Sequence, residues 1–400
     1  SCVARAGHDG LIDETVMQRL EGAIRKYDWG STSRIPSMLG CAEDGKPWAE
    51  LWLGAHPSAP SMVGETRTPL DELIAADPAA QLGTAVADRF GSLPFLFKVL
   101  AAAAPLSLQA HPSVPQAEAG YAREDAAGVP IDAPNRSFRD RFHKPELICA
   151  LTDFYALCGF RNPLATLDVL ATIDTSTLDP IRDRLAVSSY VDGLGPLLEY
   201  LLTLPAADAA ALVAPVVAAC GVPGPDRHAD VRAMAAALGE RYPGDAGVVT
   251  ALLLNLVHLK PGEALFLGAG NLHAYLGGTG VEIMANSDNV LRGGLTTKHI
   301  DIPTLLEVVD ARPIEPIVQR PALVQGIASY DTPVPEFLLD RLDLDGSASV
   351  SGPAILLCTD GAVDAGSFSL ERGAAAWLPA GDGIVELRGR GTVYRAGVNL

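Results

Sequence analysis

GEALFLGAGNLHAYL, residues 262–276, is the stretch whose reading decides the fold. Two apolar runs, ALFL and the residues after Asn271, are separated by Gly268 and Gly270, while Gly262 follows a proline ahead of the first run. Glycine accepts backbone conformations closed to other residues, so this spacing predicts strand, turn, strand. PGE, residues 261–263, punctuates the apolar runs on either side in the manner of a hairpin turn. His273 falls at the second strand's mouth, where an imidazole can meet a ligand.

The glycine spacing is similar to the second motif of cupin barrels, in which the histidine is a metal ligand, although a proline usual there is Gly268 here. Two further stretches offer partners. In LQAHPS, residues 108–113, Gln109 and His111 stand two apart, and in an extended strand such side chains emerge on one face. In RFHKPELICAL, residues 141–151, Glu146 follows Lys144 and Pro145 and opens an apolar run, and a proline fits the first position of a strand. One amide, one carboxylate and two imidazoles at strand ends make a four-ligand site for a single Zn²⁺, with positions left for substrate oxygens. The ligand set lacks thiolates, which points to catalysis. Of the other histidines, His8, His56, His228, His258 and His299 read as structural or solvated, and His143 remains a third imidazole near the site.

Short runs broken by Gly and Pro, such as AELWLGAHPSAPS and LPFLFKVL, mark a β-rich unit over 21–160, with a helical excursion from Asp71 to Phe90. From 161 to 243 the composition turns to Ala and Leu at helical spacing, predicting an inserted helical domain. Strand character then returns over 244–325, and 326–400 reads as a second all-β barrel or jelly roll. Residues 1–20 read as an N-terminal extension, frayed to about Thr15. The expected class is therefore mainly β with a helical insertion: two β-barrel units plus an α-helical domain.

At 400 residues the chain is long enough for several cores, and its formal net charge of −18 gives no long-range attraction to nucleic acid or anionic lipid. Six cysteines without a CxxC pair predict reduced thiols. No apolar run is long enough to span a bilayer and residues 1–30 lack a signal-peptide pattern, so the expectation is a cytoplasmic monomer with neither a nucleic-acid nor a membrane partner.

The strings YDWGS, AELWLGAHPS, LPFLFKVLAA, LSLQAHPS, HKPELICAL, ALCGFR and GNLHAYLGGTGVEIMANSDNVLRGGLTTKHID, in order from about Gly22 onward, resemble the type I phosphomannose isomerase family. The resemblance implies two cupin-like (jelly-roll) units, a zinc cofactor and a small sugar-phosphate partner: mannose 6-phosphate and fructose 6-phosphate would be interconverted by proton transfer through an enediol(ate). The family's metal ligands fall on Gln109, His111, Glu146 and His273, its catalytic arginine on Arg292, and other polar pocket residues on Ser107, Lys144, Tyr275, Glu282 and Lys298.

Within that frame Glu282 is the favoured base, because alternation in GVEIMA turns it away from Val281 and Ile283, and Lys144 is its competitor. Lys98, Lys144, Arg292 and Lys298 are the candidate phosphate cations. Arg292 and Lys298, six apart, would share one face if the strand ran on. Two other readings compete: an Fe(II) oxygenase built on two histidines and a carboxylate, and a sugar-phosphate-binding regulator on an inactive isomerase fold.

Overall fold

The strand His273–Ala285 is the axis of the molecule. Its first half pairs with Leu108–Ala110 and Phe154–Phe160, its second with Phe95–Ala102 and Glu146–Ala150. These belong to an 11-stranded sheet, and a second, 9-stranded sheet packs beside it. This architecture comes from a computed structural model, which describes residues 17–187, 193–225, 227–366 and 368–400.

Alternation explains how the sheets meet. Phe95, Phe97, Val99 and Ala101 pack with Leu147, Cys149, Val281 and Ile283, and with Ile355, Leu357 and Trp377 of the second sheet, in one shared core. The intervening positions, Lys98, Glu146 and Glu282 among them, face the other way and are nevertheless buried. A run in which every residue is buried, such as FLFKVLAA, is what a strand covered on both faces requires.

A second alternation sets the opposite edge. Leu108 and Ala110, Leu272 and Ala274, and Leu291 all pack into the core of the helical segment. The polar residue beside or between them, Gln109, His273 or Arg292, points the other way. Register aligns these three in one cross-strand row, with Gln109 opposite both His273 and Arg292.

Several expectations are corrected. The helical segment runs from Pro163 to Leu253, past the expected end at 243, because GVVTALL (247–253) is apolar and buried on every side and so carries no helical periodicity. The strands flanking Pro261–Glu263 do not pair as a hairpin. Leu254–Leu259 pairs with Phe154–Phe160, and Ala264–Leu267 with Glu146–Ala150. The turn instead crosses from one half of the sheet to the other, and the Gly262 N–H donates to the Ala150 carbonyl (2.8 Å).

The sheet holding residues 326–400 is also not confined to that range. Gln18–Glu21 joins it against Ala375–Leu378, followed by Met62–Val63 and Thr68–Pro69, so part of the supposed extension and of the first unit lies in the second sheet. Such long-range pairing leaves no mark on local pattern. The expected frayed tail to Thr15, with Cys2 and His8, lies outside the described residues. Cys149, Cys158, Cys220 and Cys358 are buried free thiols. Among the described residues no single helix is long and apolar enough to cross a membrane.

Candidate metal centre and active site

Two strand starts and one strand end converge at the mouth of the first sheet. Glu146 and His273 are the first residues of their strands, and His111 follows directly on Leu108–Ala110. One ligand atom from each lies within 4.8 Å of the others, and all three side chains are buried. Nε2 of His111 stands 3.4 Å from one Glu146 oxygen and Nε2 of His273 3.4 Å from the other.

The tautomers follow from the outer contacts. Nδ1 of His111 meets the Asn289 carbonyl at 2.7 Å and Nδ1 of His273 the Asn271 carbonyl at 2.9 Å. A carbonyl only accepts, so each Nδ1 carries the hydrogen, and in a neutral ring Nε2 keeps a bare lone pair. Burial, with the Lys144 charge, pushes His111 down to about 4, which leaves that ring neutral at pH 7. Burial pushes the Glu146 carboxyl up, but the Lys144 ammonium at 2.9 Å and the imidazoles outweigh it and hold it well below its ordinary range.

Both Nε2 atoms and one Glu146 oxygen lack hydrogen-bond partners. Three buried acceptors facing one another repel unless a cation lies among them, so the residues present fit a metal ion of the kind that takes imidazole and carboxylate.

A cavity of about 450 Å³ opens beside the cluster, and Gln109, Glu146, Lys144, Ser107, Tyr275 and Glu282 line it. Its floor is a network of buried charge. Lys98 Nζ donates to Glu282 (3.0 Å) and Glu50 (3.4 Å), Tyr275 donates to the other Glu282 oxygen (2.8 Å), and the Trp52 indole N–H donates to Glu50 (2.8 Å). Burial and the neighbouring carboxylates Glu146 and Glu50 push Glu282 up against the pull of Lys98. Burial disfavours the Lys98 ammonium, but Glu282, Glu50 and Glu146 more than offset it and raise its pKa. Burial, then Glu282, raises the Tyr275 phenol well above its ordinary value.

The cavity mouth is cationic. Arg292 and Lys298 line it and Arg139 lies close behind. Burial lowers Arg292, as does Arg139, and burial lowers Lys298, with both arginines adding to it. Arg139 lies within electrostatic reach of Asp288, but neither Arg292 nor Lys298 has a carboxylate partner among the described residues, so an anion is the missing counter-charge. The helical segment contributes Arg241 and Tyr242 to the wall, and the Tyr242 hydroxyl donates to the Pro105 carbonyl (3.2 Å).

Three sequence expectations change. Lys98, expected as a phosphate cation, is buried between two carboxylates that consume its charge. Arg292 and Lys298 do not share a strand, which ends at Gly294. Gly294 (φ +130°) and Leu295 (φ +54°) bend the chain, which brings Lys298 to the cavity that Arg292 lines from the strand. His143 is no ligand; its Nε2 pairs with Glu336 at 2.8 Å. Glu50, Trp52 and Arg139 were missed. An acid two residues from a tryptophan inside an apolar strand, and the basic run RSFRDRFHK, were the available signals.

Comparison with known proteins agrees with this geometry. Residues 17–163 match the family model of the phosphomannose isomerase type I catalytic domain. The mannose-6-phosphate isomerase of Shigella flexneri is 37% identical, over 95% of this chain and 99% of that protein. Two solved structures cover 96% of the chain at 38% identity and a TM-score of 0.88: a zinc-bound mannose 6-phosphate isomerase, of which the chain covers 100%, and the apo enzyme of Salmonella typhimurium, of which it covers 99%.

His273→Ala and Gln109→Ala are each expected to lose bound zinc while the protein stays folded. Metal counting beside circular dichroism checks this, and stoichiometric zinc in His273→Ala contradicts the site.

Proposed function

Since this chain belongs to the type I phosphomannose isomerase family, we propose that it is a zinc-dependent aldose-ketose isomerase interconverting mannose 6-phosphate and fructose 6-phosphate through an enediol(ate). The observation that carries the reading is the pairing of one buried lone-pair cluster with an unmatched cationic mouth across a single cavity. One end suits a metal and sugar oxygens, the other a phosphate dianion. A volume of about 450 Å³ lies in the range of small-molecule sites. The two sheets are read as the two cupin-like units, and the enzyme as cytoplasmic and monomeric.

Gln109, His111, Glu146 and His273 would hold the zinc, which when bound polarises the carbonyl end of the sugar. Moving the carbonyl between C1 and C2 requires taking a proton from the carbon beside it and returning it to the neighbour. Glu282 is the proposed base, because burial raises its proton affinity, which a carboxylate needs to work near neutral pH. Tyr275 and Lys98 each hold one of its oxygens, so they orient it. Lys144 is ion-paired with Glu146 at 2.9 Å and so is committed to the metal cluster, which makes it the weaker base.

Arg292 shares its cross-strand row with Gln109 and His273 and keeps its proton, so it is placed to stabilise the developing oxyanion. Lys298 and Arg139 supply the phosphate's counter-charge, with Ser107 beside the sugar. The fourth candidate ligand, Gln109, and a cationic mouth suited to a phosphate favour the isomerase over the iron-oxygenase reading.

Turnover in heavy water should place deuterium at the exchanging carbon in part of the product. Complete retention of the substrate hydrogen over many turnovers contradicts proton transfer. Arg292→Ala should lower kcat by roughly a hundredfold or more, the scale of losing one preorganised oxyanion donor, with zinc retained. Lys298→Ala should appear mainly in KM. Wild-type kcat in Arg292→Ala at saturating mannose 6-phosphate would leave Arg292 a phosphate ligand only.

A further inference from the structure

The strands that carry the site also reach a second cleft of about 450 Å³. Glu146–Ala150 begins at the metal cluster and ends with Ala150 on the cleft's rim, and Thr279 of the long strand lines it as well. The facing wall belongs to the second sheet: Arg341 and Asp343 from Leu338–Ser351, Thr359 and Asp360 from Ala354–Ala365. Arg34 and Arg372 close the remaining sides.

Three guanidiniums in one cleft are notable in a chain with a net charge of −18. Arg341 is matched by Asp343 at 2.9 Å, yet its Nε is buried without a hydrogen-bond partner. Its guanidinium lies over Gly262, where any Cβ would collide with Nη1. Arg34 and Arg372 have no carboxylate partner among the described residues. Unmatched guanidiniums lining a concavity suit a phosphoryl group, which takes paired N–H donors in fork geometry. The rest of the wall is acceptor-rich. Asp360 is free of ion pairs among the described residues, and the hydroxyl oxygens of Thr152, Thr359 and Thr392 keep lone pairs while their hydrogens go to Asp153, Thr392 and Asp343. Such a wall accepts from hydroxyls of a ligand body.

We propose that this cleft is a second ligand site, distinct from the isomerase cavity, which binds a small phosphorylated polyol with its phosphoryl group on Arg34, Arg341 and Arg372 and its hydroxyls on Asp360 and the threonines. The site lies between the two sheets, so an occupant bridges them.

The test is equilibrium dialysis of the zinc-loaded protein with labelled sorbitol 6-phosphate, which has no carbonyl to isomerise, and in parallel with inorganic phosphate. Wild-type protein should bind two equivalents of sorbitol 6-phosphate. Arg34→Gln combined with Arg372→Gln should weaken one of them by roughly tenfold or more, the scale of losing a charge-assisted hydrogen bond, with kcat for mannose 6-phosphate unchanged. Both side chains are exposed, so the double variant should fold normally. Arg292→Ala should spare that same equivalent. A single equivalent in wild type, or two unaltered in the double variant, overturns the site. Inorganic phosphate binding there as tightly as sorbitol 6-phosphate overturns the polyol assignment.

Discussion

Charges buried on the inner face of one sheet govern the rest of this structure. Lys98, Lys144, Glu50, Glu146 and Glu282 all lie in or beside the apolar interior, where an unpaired charge is costly and breaking a buried pair costs about 3–5 kcal/mol. The fold tolerates them because each is paired: Lys98 between Glu50 and Glu282, Lys144 on Glu146. Two groups remain unmatched, the lone pairs of His111, His273 and Glu146, and the cations Arg292 and Lys298. Structure and function meet there, since what the chain leaves unpaired is what a cation and a phosphate would complete.

The charge network also divides labour. Groups whose partners are protein, such as Lys98, orient the proposed base and oppose the rise in proton affinity that burial gives it. Groups whose partners are absent bind. Lys98, a conspicuous lysine in an apolar strand, belongs to the first kind, which its position in the chain does not disclose and its two carboxylate neighbours do.

Much of the site was legible because its residues break an alternation. Gln109, His111, Glu146 and His273 are polar residues at or beside strand ends and Glu282 is one inside a strand, all in otherwise apolar runs, and period-2 reasoning assigns each its side. The helical segment was legible from spacing, except for GVVTALL, whose uniform burial erases periodicity. What could not be read was non-local. The pairing of Gln18–Glu21 with Ala375–Leu378, the separate partners of the strands around Pro261–Glu263, and the arrival of Lys298 at the cavity through a bend all depend on contacts between distant residues. Arg139 and Glu50 were missed for the same reason: each matters through a charge that lies far away along the chain.

The claim that the buried imidazole–carboxylate cluster is the centre of the chemistry is tested most directly by fructose 6-phosphate formation from mannose 6-phosphate in chelator-stripped protein before and after zinc is restored. The account predicts loss of turnover on stripping and its return as one zinc per chain is taken up. Undiminished turnover in metal-free protein would contradict it.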